Sequence, residues 1–474
     1  MSVPHARVRL ALPAAVGLYL AGGLVAVHLA LHTRALVDLR VYLSGAEAVL
    51  HGADVSAAHP AGSDLQFTYP PFAALCFLPL VALHSLPAAG AAMTAASMAA
   101  LVLVVRLALH EVRPQWTAWR TWTVAFGLAL AALPLDPVRN TLGFGQVNLV
   151  LLALVLADAL APPGRRGRGA LVGLAAGIKL TPAIFVGYFA VTRQWRAARN
   201  AALSGVGTVL AGWVAAPAST VRYWTRLVLD PDHIGGIPYA GNQSLYAVAT
   251  RLGHGQQALR GVWMAAAALV VVVGLAAARR AYHAGNRLAA ACLTGLTGLL
   301  VSPVSWSHHW VWLVPGVIAL WGSATRRRAG AGWLAAGLLA LFYAGPIWWV
   351  PRTGNREYDH HGVQLLTGNA YVLAGLVLLA VATPAWRAAP RTGWVPGRRR
   401  PAVRPPAGPG RGTARPWLAS RPAVPRPRPA PPGGPGVSPR TPARRSGPAS
   451  PPRPPAAAAP PRAPGSSHGP RPAT

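Results

Sequence analysis

Three short polar segments interrupt the apolar stretches of this sequence, and they contain side chains that bind anions or exchange protons. SPVSWSHHW (302–310) carries two adjacent histidines, while GFGQVN (143–148) and IKLTP (178–182) each place polar residues beside Gly or Pro. Polar groups at membrane depth are costly and tend to mark functional sites. Broken helices are tolerated there only where protein or a water-filled cavity satisfies the freed backbone. The three segments therefore predict a cavity that is built from helix breaks.

The composition predicts a protein that crosses a membrane several times. Of the 474 residues, 53% are hydrophobic and only 12% are charged, so long apolar runs dominate the chain. Residues 9–31 can span a hydrocarbon core of about 30 Å, which favours a first transmembrane helix over a cleaved signal. Cys76 and Cys292 stand singly in apolar surroundings, so neither a disulfide framework nor a metal-thiolate site is indicated.

The arginine-rich loops predict a topology, because cytoplasmic loops of membrane proteins are enriched in Lys and Arg. With these loops inside, the spans are 9–31, 88–108, 119–135, 146–160, 200–216, 261–278, 288–302, 309–323, 330–347 and 365–383. Residues 169–192 lie between two inside loops and must cross an even number of times. We expect two half-helices that meet at residues 179–182, where Pro182 favours a break. The total is about twelve segments with both termini in the cytoplasm, and residues 69–86 form an outer interfacial helix.

Residues 387–474 form a tail of Pro, Arg, Ala and Gly that has no acidic residues. Such a segment buries too little apolar surface to offset the entropy of ordering, which predicts disorder. The expected fold is therefore an all-α polytopic membrane domain, residues 1–386, followed by a cytoplasmic tail. The tail carries part of the net charge of +33, and we expect it to be attracted to anionic membrane lipids rather than to nucleic acid.

Most of the remaining polar residues collect on the outer side of this topology. The spans were ordered by arginine-rich loops alone, so this placement is an independent observation. The outer set is Asp38, Arg40, Tyr42, Glu47, Asp54, Asp64, Asp136, Arg139, Asn140, Gln146, Asn148, Arg222, Tyr223, Trp224, Asp230, Asp232, His233, Asn242, Gln243, His308 and His309. A distribution on one side of the membrane predicts a cavity that opens outward.

Seven motifs follow one another in order between residues 10 and 385. They are DLRVYLSGAEAVLHG (38–52), FTYPPFAAL (67–75), GFGQVNLVLLALVLAD (143–158), GLAAGIKLTPAIF (173–185), YWTRLVLD (223–230), NQSL (242–245) and LLVSPVSWSHHWVW (299–312). Together they resemble glycosyltransferase family 87. The resemblance implies a GT-C membrane fold and a polyprenyl-phosphate-mannose-dependent alpha-1,2-mannosyltransferase of the bacterial plasma membrane, active on its extracytoplasmic face. No cofactor is implied.

The resemblance also implies the chemistry of the site. The donor would be a β-mannosyl phosphopolyprenol and the acceptor a glycolipid or lipoglycan, and inversion would give an alpha linkage. A base must then take the proton of the incoming hydroxyl. GT-C enzymes carry a carboxylate early in the first outer loop, and Asp38 is the acid that matches as general base. The alternative is that Asp38 caps the helix that it begins.

The departing phosphate needs cations or N–H donors. The resemblance favours Lys179, the only lysine, together with His308 and His309, because a charged imidazole donates from both ring nitrogens. We expect Pro303 to end one helix and the histidines to open the next, whose N-terminus would favour an anion. The histidines could instead be an interfacial pair in an aromatic belt. Metal binding is not predicted, because no HxxH or HxxxH spacing supplies a second ligand.

Other side chains are predicted to contact the donor or the acceptor. The alternative phosphate contacts are Arg40 and Arg222, and the sugar and acceptor contacts are Glu47, Tyr69, Gln146, Asn148, Asn242 and Gln243. Structural alternatives exist for most of them. The arginines could anchor lipid headgroups, Gln146 and Asn148 could satisfy broken backbone, Tyr69 could anchor the interfacial helix, and Glu47 could pair with Arg40 or face water.

Two other functions fit parts of the pattern. Secondary transporters also bind their substrates at broken helices near mid-membrane, but this sequence has no evident inverted repeat and its polar groups lie on one side. The second alternative is a related transferase that uses another polyprenyl-phosphate sugar. No residue reads the identity of the sugar directly, so mannose rests wholly on the resemblance.

Overall fold

The computed structural model describes residues 3–34, 36–255, 259–324 and 329–385. Every regular element within these ranges is helical, apart from an isolated bridge between Asn242 and Trp306. The predicted all-α fold class is thereby confirmed. The predicted tail, residues 387–474, lies outside the described residues, and so its disorder and its attraction to lipid stay predictions.

The chain forms eighteen α-helices in the described ranges. The first nine are α1 Val3–Leu29, α2 Val37–Leu50, α3 Pro71–Val81, α4 Leu86–Val112, α5 Ala118–Ala132, α6 Asp136–Phe144, α7 Asn148–Ala159, α8 Ala170–Ile178 and α9 Ile184–Val191. The others are α10 Trp195–Ala215, α11 Pro217–Thr225, α12 Leu245–Leu252, α13 Leu259–His283, α14 Arg287–Val301, α15 Leu313–Ala324, α16 Ala329–Ala344, α17 Val363–Gly368 and α18 Ala370–Ala385.

Several of these helices are typical of a membrane protein. In the described ranges, four segments are long and apolar enough to cross a bilayer: Ala11–His32, Leu86–Val112, Leu259–His283 and Gly330–Trp348. A fifth candidate is bent, because α5 and α6 meet at 81° across a short break. Each of the ten predicted spans overlaps an α-helix, although 309–323 begins in a 3-10 helix and 365–383 extends over both α17 and α18. The number of crossings, about twelve, and the GT-C fold stay predictions.

The chain breaks between α8 and α9 at the place that Pro182 predicts. α8 ends at Ile178, and Lys179 adopts an extended backbone with φ −149° and ψ 127°. A 3-10 turn, Thr181–Ala183, then leads into α9. Lys179 therefore extends from the end of a half-helix rather than from its side.

The helix that precedes Lys179, α8, is anchored at its N-terminus and along one face. The two carboxylate oxygens of Asp158 accept hydrogen bonds from the N–H groups of Gly169 and Val172, at 2.8 and 3.0 Å, which caps α8. Three residues at four-residue spacing lie so close to α10 that an added Cβ would overlap it: Gly169, Gly173 and Gly177. Small residues at this spacing let two helices approach closely. Both features fix the position of Lys179.

Two further breaks bring polar residues to the same region. α6 ends at Phe144, Gly145 takes a left-handed conformation (φ 68°), and α7 begins at Asn148. The adjacent histidines lie in a 3-10 helix, Ser307–Trp312, and α15 begins only at Leu313. The histidines therefore open the next helical segment, as expected, and this segment is a 3-10 helix that leads directly into α15.

Candidate active site

The breaks described above converge with the start of α2. Asp38 lies in the first turn of α2, Gln146 precedes α7, Lys179 follows α8, and the histidine pair lies between α14 and α15. Hydrogen bonds and charges link these side chains into one cluster. We call Asp38, Gln146, Asn148, Lys179 and His309 the central cluster.

Asp38 is held by an amide whose orientation is set by a tyrosine. The Tyr42 hydroxyl donates a 2.6 Å hydrogen bond to Oε1 of Gln146, and the Gln146 side chain hydrogen-bonds to Asp38. Tyr42 follows Asp38 by one helical turn, so both lie on one face of α2. The phenol needs an acceptor, so Oε1 of Gln146 faces Tyr42, and the amide nitrogen Nε2 is left to donate to the Asp38 carboxylate and, at 3.4 Å, to the Tyr69 hydroxyl. The position before α2 is occupied by Leu36 without a side-chain cap, so the alternative role of Asp38 as that cap is excluded.

The surroundings of Asp38 suit a group that exchanges a proton. Removal from water raises the pKa of this carboxyl above its ordinary value, while the hydrogen bond from Gln146 and the positive charge of Lys179 act in the opposite direction. The net shift is upward. A carboxylate with a raised pKa is a stronger base than the carboxylate of an exposed aspartate. It loses its own proton at a higher pH than an exposed aspartate does.

Lys179 joins the histidine pair to α7. Its Nζ lies 2.7 Å from Nε2 of His309, 3.1 Å from Oδ1 of Asn148 and 5.5 Å from the centroid of the Tyr69 ring. An ammonium group has only donors, so Nε2 of His309 accepts and its ring proton lies on Nδ1. The Lys179 contact thus favours the neutral imidazole, and the charged form that is expected beside a phosphate stays a prediction. Nδ1 of His309 is buried and has no hydrogen-bond partner among the described residues.

His308 takes a different place from its neighbour. Its ring packs edge-to-face on Phe144, with centroids 5.5 Å apart, and its backbone carbonyl accepts hydrogen bonds from Asn148 Nδ2 and Thr141 Oγ1. Asn148 therefore bonds both Lys179 and the histidine backbone. The Asn148 amide thus satisfies a backbone carbonyl at a helix break, which is one of the two roles predicted for it. It also fixes the distance between Lys179 and the histidine segment.

A small pocket of about 50 Å³ lies beside the central cluster. Its polar lining residues are Asn148, Lys179, Thr181 and His309, and its other lining residues are apolar residues of α7, α9, α14, the turn before α9 and the 3-10 helix that carries the histidines. Water-poor surroundings strengthen the attraction between fixed donors and an anion. The pocket is therefore suited to a small anionic group, which Lys179 and His309 would contact. We call it the anion pocket.

A buried carboxylate that sequence reasoning did not assign to the site holds the histidine segment in place. Asp136 is completely buried and accepts hydrogen bonds from Arg139, Asn140, Trp348 and Tyr371, at 2.7–3.2 Å. Nδ2 of Asn140 lies 3.0 Å from the Ser307 hydroxyl, directly before the histidines. Asp136 therefore joins three parts of the chain, which are α6, α18 and the segment that follows α16. Through Asn140 it also connects them to the 3-10 helix that carries the histidines.

The amides of Asn242 and Gln243 are occupied by backbone. Asn242 donates to the carbonyls of Ile237 and Pro303 and accepts from the Ser305 N–H. Gln243 donates to two carbonyls, at 2.7 Å each, and accepts from the Tyr371 N–H. The Asn242 amide thus holds the segment before the histidines, and the Gln243 amide holds the junction of α17 and α18. These contacts favour a supporting role over direct contact with sugar.

Three predicted contacts are not part of the central cluster. Arg222 forms a 2.6 Å ion pair with Asp54, which also accepts from Ser219. Arg40 and Glu47 are both exposed, and helical periodicity places them on the side of α2 that faces away from Asp38. Tyr69 is closer: its hydroxyl lies 3.4 Å from both Tyr42 and Gln146, and its ring faces Lys179.

The sequence matches known glycosyltransferases over most of its described length. The sequence model of glycosyltransferase family 87 matches residues 67–303. A polyprenol-phosphate-mannose-dependent alpha-(1-2)-phosphatidylinositol mannoside mannosyltransferase of Mycolicibacterium smegmatis is 37% identical over 370 residues, 73% of this chain and 83% of the relative. Its namesake from Mycobacterium tuberculosis is 34% identical over 379 residues, 76% of this chain and 87% of the relative.

A relative with a more specific name also matches. It is a polyprenol-phosphate-mannose-dependent alpha-(1-2)-phosphatidylinositol pentamannoside mannosyltransferase of Mycolicibacterium smegmatis, 39% identical over 342 residues, which are 66% of this chain and 78% of the relative. No solved structure matches the chain.

Proposed function

The chain belongs to glycosyltransferase family 87, and from this premise we propose that the central cluster transfers mannose from polyprenyl phosphate mannose to a phosphatidylinositol mannoside. The observation that carries the proposal is the convergence of Asp38 and Lys179, which belong to different helices 141 positions apart, on one buried network. The names of the relatives supply the donor, the acceptor class and the alpha-(1-2) linkage.

The Asp38 carboxylate acts as the general base. It removes the proton from the 2-hydroxyl of the acceptor mannose, and the resulting oxygen attacks the anomeric carbon of the donor. A new C–O bond forms as the bond between that carbon and the phosphate oxygen breaks. The attack comes from the side opposite the phosphate, so a β-linked donor gives an α-linked product. The phosphate leaves on the polyprenol with the bonding electrons, and Asp38 releases its proton to solvent.

Lys179 and His309 stabilise the leaving group. The Lys179 ammonium and the Nδ1–H of His309 are fixed in the anion pocket before the reaction, and so they need no reorganisation when negative charge develops on the phosphate oxygen. Asn148 and Tyr69 position the ammonium group by direct contact. In this mechanism the base and the leaving-group donors occupy opposite sides of the anomeric carbon.

The reaction takes place on the extracytoplasmic face of a bacterial plasma membrane. The arginine-rich loops support this orientation, because they place the central cluster away from the cytoplasm. The lipid part of the donor then lies in the bilayer, and its sugar reaches the cluster from the outer side. The GT-C fold and the cytoplasmic position of the tail belong to the same proposal.

The test is product formation by the purified protein in phospholipid vesicles. With labelled polyprenyl phosphate mannose and a phosphatidylinositol mannoside, we expect a labelled glycolipid that an alpha-1,2-specific mannosidase degrades. Vesicles without protein are the control, and GDP-mannose as the only donor should give no product. Uptake of a solute into the vesicles without any transfer would instead support a transporter. Transfer from another polyprenyl-phosphate sugar in preference to mannose would refute the donor assignment.

A further inference from the structure

A large apolar cavity lies between α14, α15, α16 and α18. Its volume is about 330 Å³, and in the described chain Ser323 is its only lining residue with a hydroxyl group. Protein interiors are normally packed to the density of organic crystals, so a space of this size is unusual. An apolar cavity stays free of water. In a bilayer the natural occupant is hydrocarbon.

The cavity extends along the helices rather than across them. Its lining residues on α14 run from Ala289 to Leu299, ten residues apart, which corresponds to about 15 Å at the rise of an α-helix. This is roughly half of a hydrocarbon core of about 30 Å. The shape thus fits an extended chain that lies parallel to the membrane-spanning helices.

One end of the cavity adjoins the anion pocket. Leu299 and Trp312 line both spaces, so these two side chains form a shared wall. The Trp312 ring stacks on Phe185, with centroids 5.4 Å apart, and it lies against Gly295, where an added Cβ would overlap the indole. A lipid whose phosphate occupied the anion pocket would therefore have an apolar space directly beside its headgroup.

We propose that this cavity holds the polyprenyl chain of the donor, next to its phosphate. The inference rests on the proposed function and extends it by locating the lipid. The acceptor must approach the anomeric carbon from the Asp38 side, whereas the cavity adjoins Lys179 and His309, which contact the leaving phosphate. The occupant is therefore the donor chain rather than an acyl chain of the acceptor.

The cavity contributes by fit rather than by hydrophobic transfer. A polyprenyl chain that enters from the bilayer leaves surroundings that are as apolar as the cavity itself, so little hydrophobic free energy is gained. What is gained is van der Waals contact and a fixed direction for the phosphate. Filling the cavity should consequently weaken the use of long-chain donors without harming the chemistry of the central cluster.

Two glycines provide a matched pair of variants. Gly316 on α15 lines the cavity, and an added Cβ there would meet no atom of the described chain within 4 Å. An added Cβ at Gly337 on α16 has equal space, but Gly337 is exposed and does not line the cavity. Leu has a higher helix propensity than Gly, so both Gly316→Leu and Gly337→Leu should fold.

The experiment compares the KM of a long-chain donor with that of one shortened to a single isoprene unit, at a saturating acceptor concentration, and measures the acceptor KM separately with the long-chain donor saturating. We expect Gly316→Leu to raise the KM for the long-chain donor about tenfold and to leave the short-chain KM within about twofold. Gly337→Leu should change neither. Equal losses with both donors, no change with either, or an increase confined to the acceptor KM would overturn the proposal. If the unaltered protein transferred no mannose from either donor, the proposed function itself would fail.

Discussion

Replacing Tyr42 with Phe tests whether the orientation of Gln146 controls the base. The substitution removes a buried hydroxyl whose 2.6 Å hydrogen bond fixes Oε1 of Gln146, and it keeps the ring that stacks on Phe77. A buried acceptor left without its partner costs about 1–3 kcal/mol of stability. The freed amide can rotate, so Asp38 loses the hydrogen bond that holds its pKa down.

The direction of the pH effect follows from the hydrogen bond between Gln146 and Asp38. Asp38 acts as a base only when it is deprotonated, and its pKa is already raised by burial. Loss of a hydrogen bond to the charged form raises it further. A hydrogen bond to a charged group is worth about 1.5–3 kcal/mol, so the acidic limb of kcat/KM should move to higher pH by about one to two units. Rates of mannose transfer measured from pH 4 to pH 9 would report this shift.

Tyr19→Phe is the matched control. Tyr19 is as buried as Tyr42, and its hydroxyl donates a 2.8 Å hydrogen bond to the Met98 carbonyl, away from the central cluster. Both variants should lower the thermal unfolding temperature to a similar extent, but only Tyr42→Phe should displace the acidic limb. An unchanged limb in Tyr42→Phe, or an equal displacement in both variants, would show that the Tyr42–Gln146 contact does not control the pKa of Asp38.

Three further substitutions test the supports of the site. Lys179→Met should lower kcat by about 10²-fold or more, because it removes the charge that stabilises the leaving phosphate. Arg40→Met, on the exposed side of α2, should keep kcat within about twofold. Equal effects would contradict the assignment of Lys179 to the leaving phosphate. Asp136→Ala leaves four donors without their acceptor and should destabilise the protein by about 3 kcal/mol in thermal unfolding, while the exposed Asp64→Ala should change stability by less than about 0.5 kcal/mol. Asp158→Ala removes the cap of α8 and should cost about 0.5–2 kcal/mol; an unchanged unfolding temperature would show that α8 does not need this cap.

Polar residues at helix breaks were the part of the site that the sequence could predict. Lys179, Gln146 and Asn148 lie beside Gly or Pro in apolar runs, and the structure brings them together with Asp38 and His309. Their catalytic roles remain predictions. The break at Pro182 was predictable for the same local reason, because proline disfavours helix at the residue before it.

Contacts between distant segments could not be predicted. Trp348 and Tyr371 bond Asp136 across 212 and 235 residues, and no local pattern identifies such partners. The amides of Asn242 and Gln243 were assigned to sugar, because a sequence cannot show that backbone carbonyls already occupy them. The proximity of Tyr42 to Asp38 could have been predicted, since Tyr42 follows Asp38 by one helical turn and lies on the same face of α2.

The helical fold was more predictable than its details. Each predicted span was drawn from an apolar run and overlaps an α-helix, whereas the number of membrane crossings stays a prediction. The 3-10 geometry of the histidine segment was not predicted, and the His308 carbonyl within that segment accepts hydrogen bonds from Thr141 and Asn148. Those bonds come from residues about 160 positions earlier in the chain.

Mannose transfer by Asp38→Asn tests most directly whether Asp38 is the general base. The substitution keeps the size of the side chain and removes its basicity, while Asp64→Asn makes the same change at an exposed loop residue. Both proteins would be reconstituted with labelled polyprenyl phosphate mannose and a phosphatidylinositol mannoside, after their unfolding temperatures had been matched to the unaltered protein. If Asp38 is the general base, transfer falls by about 10²-fold or more in Asp38→Asn and is unchanged in Asp64→Asn. A folded Asp38→Asn protein that transfers mannose at the original rate would contradict this role.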